Sequence, residues 1–135
     1  MSSSSPSPSL ALGPDVRITC EDLEQAGRQP DTPFRLTSAA TDALQSARDA
    51  LDKVRKADEP VYGVTTGFGP LHEYSADAPI DHGEGLLAHL GTGSGDLADP
   101  PVVRAMMTAR LQALVQGHSA IRPATVKGIV AILEA

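Results

Sequence analysis

The stretch with the most chemistry in it is Tyr62-Gly63-Val64-Thr65-Thr66-Gly67-Phe68-Gly69, which combines a phenol, two hydroxyls and a phenyl ring with three glycines. Glycine gives up more backbone entropy on ordering than any other residue, so this density excludes a regular helix or strand. It also admits positive φ and lets the backbone approach a neighbour or ligand closely. Residue types alone leave two readings open. The stretch is either a mobile loop that presents the Tyr62 phenol to a pocket, or a tight turn whose Tyr62 and Phe68 pack against the body. Aromatics are 3% of the chain, so two of them in one short loop stand out against the rest.

Other constellations carry less. His72, His82, His89 and His118 follow no metal-ligand spacing, and the single cysteine, Cys20, cannot supply a thiolate cluster, so no metal site is expected. Gly91-Thr92-Gly93-Ser94-Gly95 has the glycine density of a phosphate cradle. It lacks the following Gly-Lys-Ser/Thr, and no strong strand precedes it. A connector between helices is the expectation there.

The run Val61 to Gly69 closely resembles the tyrosine-loop signature of the aromatic amino acid ammonia-lyase and aminomutase family, which includes the histidine, phenylalanine and tyrosine ammonia-lyases. The resemblance implies a mainly α fold, the N-terminal helical portion of that family's helical bundle, with a mobile Gly-rich tyrosine loop over residues 61–70. It implies that Tyr62 is the general base and that Phe68 and Gly69 lie at the substrate. Members of the family use an electrophilic methylidene-imidazolone, formed by cyclisation of an internal Ala-Ser-Gly. The run Leu86-Leu87-Ala88-His89-Leu90 before Gly93-Ser94-Gly95 resembles the bacterial tyrosine ammonia-lyases, where a His-Leu pair lines the ring end of the pocket. By that resemblance His89 meets a para-hydroxyl and Leu90 lines the pocket beside it. A buried imidazole left unpaired is costly, which favours a substrate that offers a hydroxyl. The plain alternative is that His89 is a satisfied helix-end residue. Histidine lyases place His where this chain has Leu90, which counts against histidine as substrate.

Departures from the family pattern are specific. Gly83-Glu84-Gly85-Leu86 stands where the family has Gln-x-Asn-Leu, so Gly85 replaces an amide near the pocket. Val103-Arg104-Ala105-Met106 and Gly117-His118-Ser119-Ala120-Ile121-Arg122 follow the words Val-Arg-x-Met and Gly-x-Ser-Gly-x-Arg, with Ala120 in place of a glycine. Arg104 and Arg122 are expected to be structural rather than pocket residues. No Ala-Ser-Gly occurs in the 135 residues. The resemblance therefore implies the base without the electrophile. The expectation is the small subunit of a two-chain ammonia-lyase or 2,3-aminomutase acting on a tyrosine-like amino acid. A separate large subunit would carry the methylidene-imidazolone, in a tetramer of heterodimers. A non-catalytic truncated paralogue that stabilises or regulates a full-length lyase, and a piece of a longer chain, are the alternatives.

Composition argues against a nucleic acid or an anionic membrane as the main partner. Net charge is −6, from 17 acidic and 11 basic residues, and no Lys or Arg stripe suits an anionic partner. No apolar run approaches the ~20 residues of a membrane span. No secretory signal is visible, and the single cysteine fits a reducing compartment, so a cytoplasmic location is expected.

The elements that must position the loop are read as follows. Residues 1–13 are Ser- and Pro-rich and expected to be a flexible tail, with residues 14–135 forming the helical segment. Asp15 to Thr19 alternates weakly, as a short strand would. Thr19 and Asp22 suit a capping box for a helix over residues 20–26, stopped by Gly27. A long helix from Ser38 to Ala57, capped by Thr37 or Ser38, carries an apolar stripe of Ala40, Leu44, Ala47, Leu51 and Val54. Its opposite face holds Asp42, Gln45, Asp49, Asp52, Lys53 and Lys56, a solvated surface. Glu59-Pro60 stops this helix and delivers the chain to Tyr62. Short helical character over residues 81–89 and two Pro-initiated helices over residues 101–116 and 123–134 complete the reading.

Overall fold

The computed structural model describes residues 9–57, 60–62, 64, 66, 91 and 93–135. The chain divides into two compact units, Met1–Ala50 with Ala98–Ala135, and Leu51–Leu97. Among the described residues the elements are strand β1 (Leu10–Leu12), helix α1 (Cys20–Arg28), strand β2 (Phe34–Leu36), and helices α2 (Ser38–Lys56), α3 (Pro100–Leu114) and α4 (Pro123–Leu133). The fold is mainly α, as expected. The expected helix near residues 81–89 lies outside the described residues.

The first unit is built on a small parallel pair, β1 beside β2, in the register Leu10↔Phe34, Ala11↔Arg35 and Leu12↔Leu36, with α1 as the crossover. This corrects two expectations. The strand is not at residues 15–19, and the tail does not reach Gly13: Leu12 has no exposed surface. A three-residue strand is too short to show alternation, whereas Asp15 to Thr19 satisfies its backbone another way. Val16 N–H closes a turn on the Gly13 carbonyl at 3.1 Å. The Gln112 side chain of α3 then substitutes for a neighbouring strand. Its Nε2 donates to the carbonyls of Gly13 (3.0 Å) and Val16 (2.9 Å), and its Oε1 accepts from Gly13 N–H (3.1 Å). Both backbone groups of Gly13 are thereby paired without a ladder.

The capping box at α1 forms as read. Asp22 N–H donates to Thr19 Oγ1 at 3.2 Å, and the Asp22 carboxylate accepts from Thr19 N–H at 2.8 Å. These donors, Thr19 backbone first and hydroxyl second, hold the Asp22 carboxyl below the usual range. The expected stop at Gly27 is wrong, because α1 continues to Arg28 with Gln29 as its C-cap. Gly27 serves packing instead. A Cβ there would lie 2.5 Å from the Pro101 carbonyl oxygen and 3.3 Å from the Ala105 Cβ, so its absence lets α1 and α3 approach. At α2 the cap is Thr37. Its buried Oγ1 accepts from Ala40 N–H at 3.1 Å and donates to Asp15 Oδ1 at 2.8 Å.

One apolar cluster holds this unit together: Leu12, Ala26, Phe34, Ala40, Leu44, Leu111, Val115, Val126 and Leu133, drawn from both strands and four helical segments. The α2 stripe is buried at Ala40 and Leu44, and its later members Ala47, Leu51 and Val54 are half-buried. Helix α3 ends two residues earlier than expected, and Gly117 follows with φ +80.

Arg104 ties the end of α1, the segment after it and the end of α4 together through their backbone. Its guanidinium donates to the carbonyls of Ala26 (3.4 Å), Pro30 (2.9 Å) and Leu133. Two of these are late carbonyls of α1 and α4, which have no partner within their own helices and attract a cation. The structural reading of Arg104 therefore holds. Arg122 is exposed, and its carbonyl starts α4 by accepting from Thr125 and Val126.

Candidate active site

The sequence-selected catalytic candidate, Tyr62, lies in the second unit, shortly after α2 ends at Lys56. Pro60 denies the backbone a donor and prevents helix from continuing through it. Val64 N–H donates to the Val61 carbonyl at 3.0 Å, which encloses Tyr62 in a hydrogen-bonded turn. This is the local geometry that a Tyr-Gly pair followed by further glycines favours. Tyr62 is 63% exposed, far more than a core aromatic.

The remaining site residues of the sequence reading, Phe68, Gly69, His89 and Leu90, lie outside the described residues, as do His72 and His82. Of the four histidines only His118 is described, and it is exposed in the turn between α3 and α4. Among the described residues no group of three metal-ligating side chains comes together. Gly93, Ser94 and Gly95 are exposed, Gly95 has φ +102, and the chain runs from them to the start of α3 at Pro100.

Sequence reading missed what the family words Val-Arg-x-Met and Gly-x-Ser-Gly-x-Arg do structurally. The first places Arg104 to gather carbonyls. The second contains a left-handed position: Ala120 has φ 51, the only positive-φ residue other than glycine among the described residues. The glycine usual in that word suits this conformation, and alanine is strained in it. No Ala-Ser-Gly occurs in these 135 residues. Among the described residues no helix is long and apolar enough to cross a membrane.

Comparison with known proteins converges on one family. The family model for aromatic amino acid lyases matches residues 18–135. A tyrosine ammonia-lyase of Cupriavidus metallidurans is 44% identical over 96 residues, covering 68% of this chain and 18% of that protein. A histidine ammonia-lyase of Streptococcus pyogenes is 33% identical over 118 residues, covering 86% of this chain and 23% of that protein. The crystal structure of tyrosine aminomutase from Streptomyces globisporus superposes with a TM-score of 0.85 at 23% identity, over 94% of this chain and 24% of that one. Pantoea agglomerans phenylalanine aminomutase superposes with a TM-score of 0.84 at 26% identity, over 93% and 25%. The chain thus spans no more than about a quarter of the length of these relatives. With a family match running from Ile18 to Ala135, the chain belongs to the aromatic amino acid lyase family.

Proposed function

We propose that residues 14–135 are the N-terminal helical segment of an aromatic amino acid ammonia-lyase or 2,3-aminomutase, acting as the small subunit of a two-chain enzyme. Tyr62 is its general base. The phenolate oxygen takes the β-proton of a tyrosine-like amino acid, the C–H electron pair becomes the Cα–Cβ π bond, and the α-ammonium group leaves as ammonia with the Cα–N electron pair. A free phenol has a pKa of about 10, so groups around the closed site must favour its ionised form. Return of ammonia to the β-carbon makes the same site an aminomutase, and both outcomes share the Tyr62 step. His89 meets the para-hydroxyl of the ring, and Phe68, Gly69 and Leu90 line the pocket. The methylidene-imidazolone belongs to a cytoplasmic large subunit, with which this chain forms a tetramer of heterodimers.

The observation that carries this reading is Tyr62, 63% exposed in a turn whose sequence matches the family's tyrosine loop. The 44% identity to a tyrosine ammonia-lyase supports the substrate class. The test pairs this chain with the Cupriavidus metallidurans tyrosine ammonia-lyase trimmed of the stretch that aligns with it. Tyrosine elimination is followed by the absorbance of the arylacrylate product. Tyr62→Phe keeps the ring and removes the hydroxyl, and should lower turnover at least about a hundredfold while the complex survives. Turnover unaffected by that change in an intact complex would remove Tyr62 from the mechanism and favour the non-catalytic alternative.

A further inference from the structure

Helix α3 is apolar on two opposite faces. One face, with Thr108, Leu111 and Leu114, is buried in the cluster described above. On the other, Val102, Met106, Ala109 and Ala113 recur at steps of four, three and four and are all exposed. At about 100° per residue these four lie within an arc of about 60°, turned away from the buried stripe. Val102 is 50% and Met106 64% exposed. Helix α4 repeats the pattern: Val126 and Leu133 are buried while Ala124, Gly128, Ala131 and Ile132 are exposed, and Lys127 is its only charged residue. Isolated exposed apolar residues are ordinary, but a stepped apolar seam on a helix already buried on its other side marks an interior helix. The wet face of α2, with Asp42, Asp49 and Lys53, shows what a solvated face of this chain looks like.

We propose that the Val102–Met106–Ala109–Ala113 face of α3 is the docking seam for the large lyase subunit, seating an apolar helix of it. This rests on the two-chain reading above. What covers the seam is argued from length. This chain superposes on 24% of the Streptomyces globisporus aminomutase, and in the two-chain reading the large subunit supplies the rest of that fold, for which an apolar face on these residues is a suitable contact. The rim is suited to such a contact. Glu24 and Arg28, paired at 2.9 Å, and Asp99 border a shallow groove whose floor is Pro101, Val102, Ala105 and Met106. An apolar floor inside a polar edge is the usual anatomy of an interface core and rim.

The test uses the same trimmed Cupriavidus metallidurans lyase as probe, with binding read by titration against the tagged chain and turnover read separately. Val102→Glu with Met106→Glu places two charges in the seam, using a good helix former at exposed sites. It should weaken binding at least about tenfold, while Glu21→Lys on α1 leaves it unchanged. Val102→Ala with Met106→Ala should give a smaller loss in the same direction, and far-UV circular dichroism should show both variants as helical as the parent. Unchanged binding of the Glu pair overturns the seam, as does a parent chain that forms no complex. A parent that self-associates through this face, with the Glu pair abolishing self-association but not capture of the probe, overturns it too, because a second copy would then be the occupant. A complex that is seam-dependent but inactive, or active regardless of Tyr62, leaves the seam standing and refutes the catalytic reading.

Discussion

Gly27 and Gly128 both sit inside helices, and the structure gives the same substitution opposite signs at the two. Replacing either by Ala gains about 1 kcal/mol of helix propensity. The accompanying loss of unfolded-state freedom is the same at both sites and cancels in the comparison. At Gly128 a Cβ meets nothing within 4 Å, so the gain is realised and Gly128→Ala should stabilise by about 0.5–1 kcal/mol. At Gly27 the Cβ would stand 2.5 Å from the Pro101 carbonyl oxygen. That neighbour is backbone at the first turn of α3, so a rotamer change cannot relieve the contact. The helices must separate, opening the contact between α1 and α3 around Ala26 and Ala105. Overpacking of this kind costs about 1–3 kcal/mol, and a backbone neighbour places it at the upper end. Steric cost wins, and Gly27→Ala should be destabilising by about 2 kcal/mol net. Thermal unfolding of the purified chain followed by circular dichroism reads both. With about 3–6 °C per kcal/mol for a chain of this size, the two variants should melt about 10 °C apart, on opposite sides of the parent. A Gly27→Ala variant that melts at or above the parent would refute the claim that α1 and α3 are held at glycine distance.

Ala120→Gly should stabilise by about 1 kcal/mol, because it relieves a left-handed alanine at φ 51; urea unfolding at constant m-value is the measurement. Arg104→Met keeps the stem and removes the donors to Ala26, Pro30 and Leu133, and should cost about 2–3 kcal/mol in the same assay, with Arg104→Lys losing about half as much. Asp22 has a depressed carboxyl pKa in the folded chain, so its contribution is present above about pH 4 and is lost as pH falls through the folded value. Asp22→Asn should therefore flatten the acid end of the stability profile and leave the slope near neutrality unchanged, as read from melting temperatures across pH.

Local signals in the sequence were enough to find the helices of the described residues and to single out Tyr62 as a candidate. The α2 stripe, the Thr19–Asp22 capping box, the prolines that open α3 and α4, and the glycines around Tyr62 act over a few residues, through backbone entropy, periodicity and side-chain-to-backbone bonds. What they could not reveal depends on residues far apart in the chain. The pairing of Leu10–Leu12 with Phe34–Leu36 leaves no three-residue pattern to read, and the amide that replaces a strand beside Gly13 comes from Gln112. Gly27 looks like a helix stop until Pro101 is found against it. The apolar residues of α3 read as one wide face, and only packing divides them into Leu111 and Leu114 turned inward and Val102 and Met106 left in the open. Tyr62 shows the same division. The loop words single out Tyr62 as the candidate base, whereas its 63% exposure is read only from the structure, because burial is set by what the fold brings alongside.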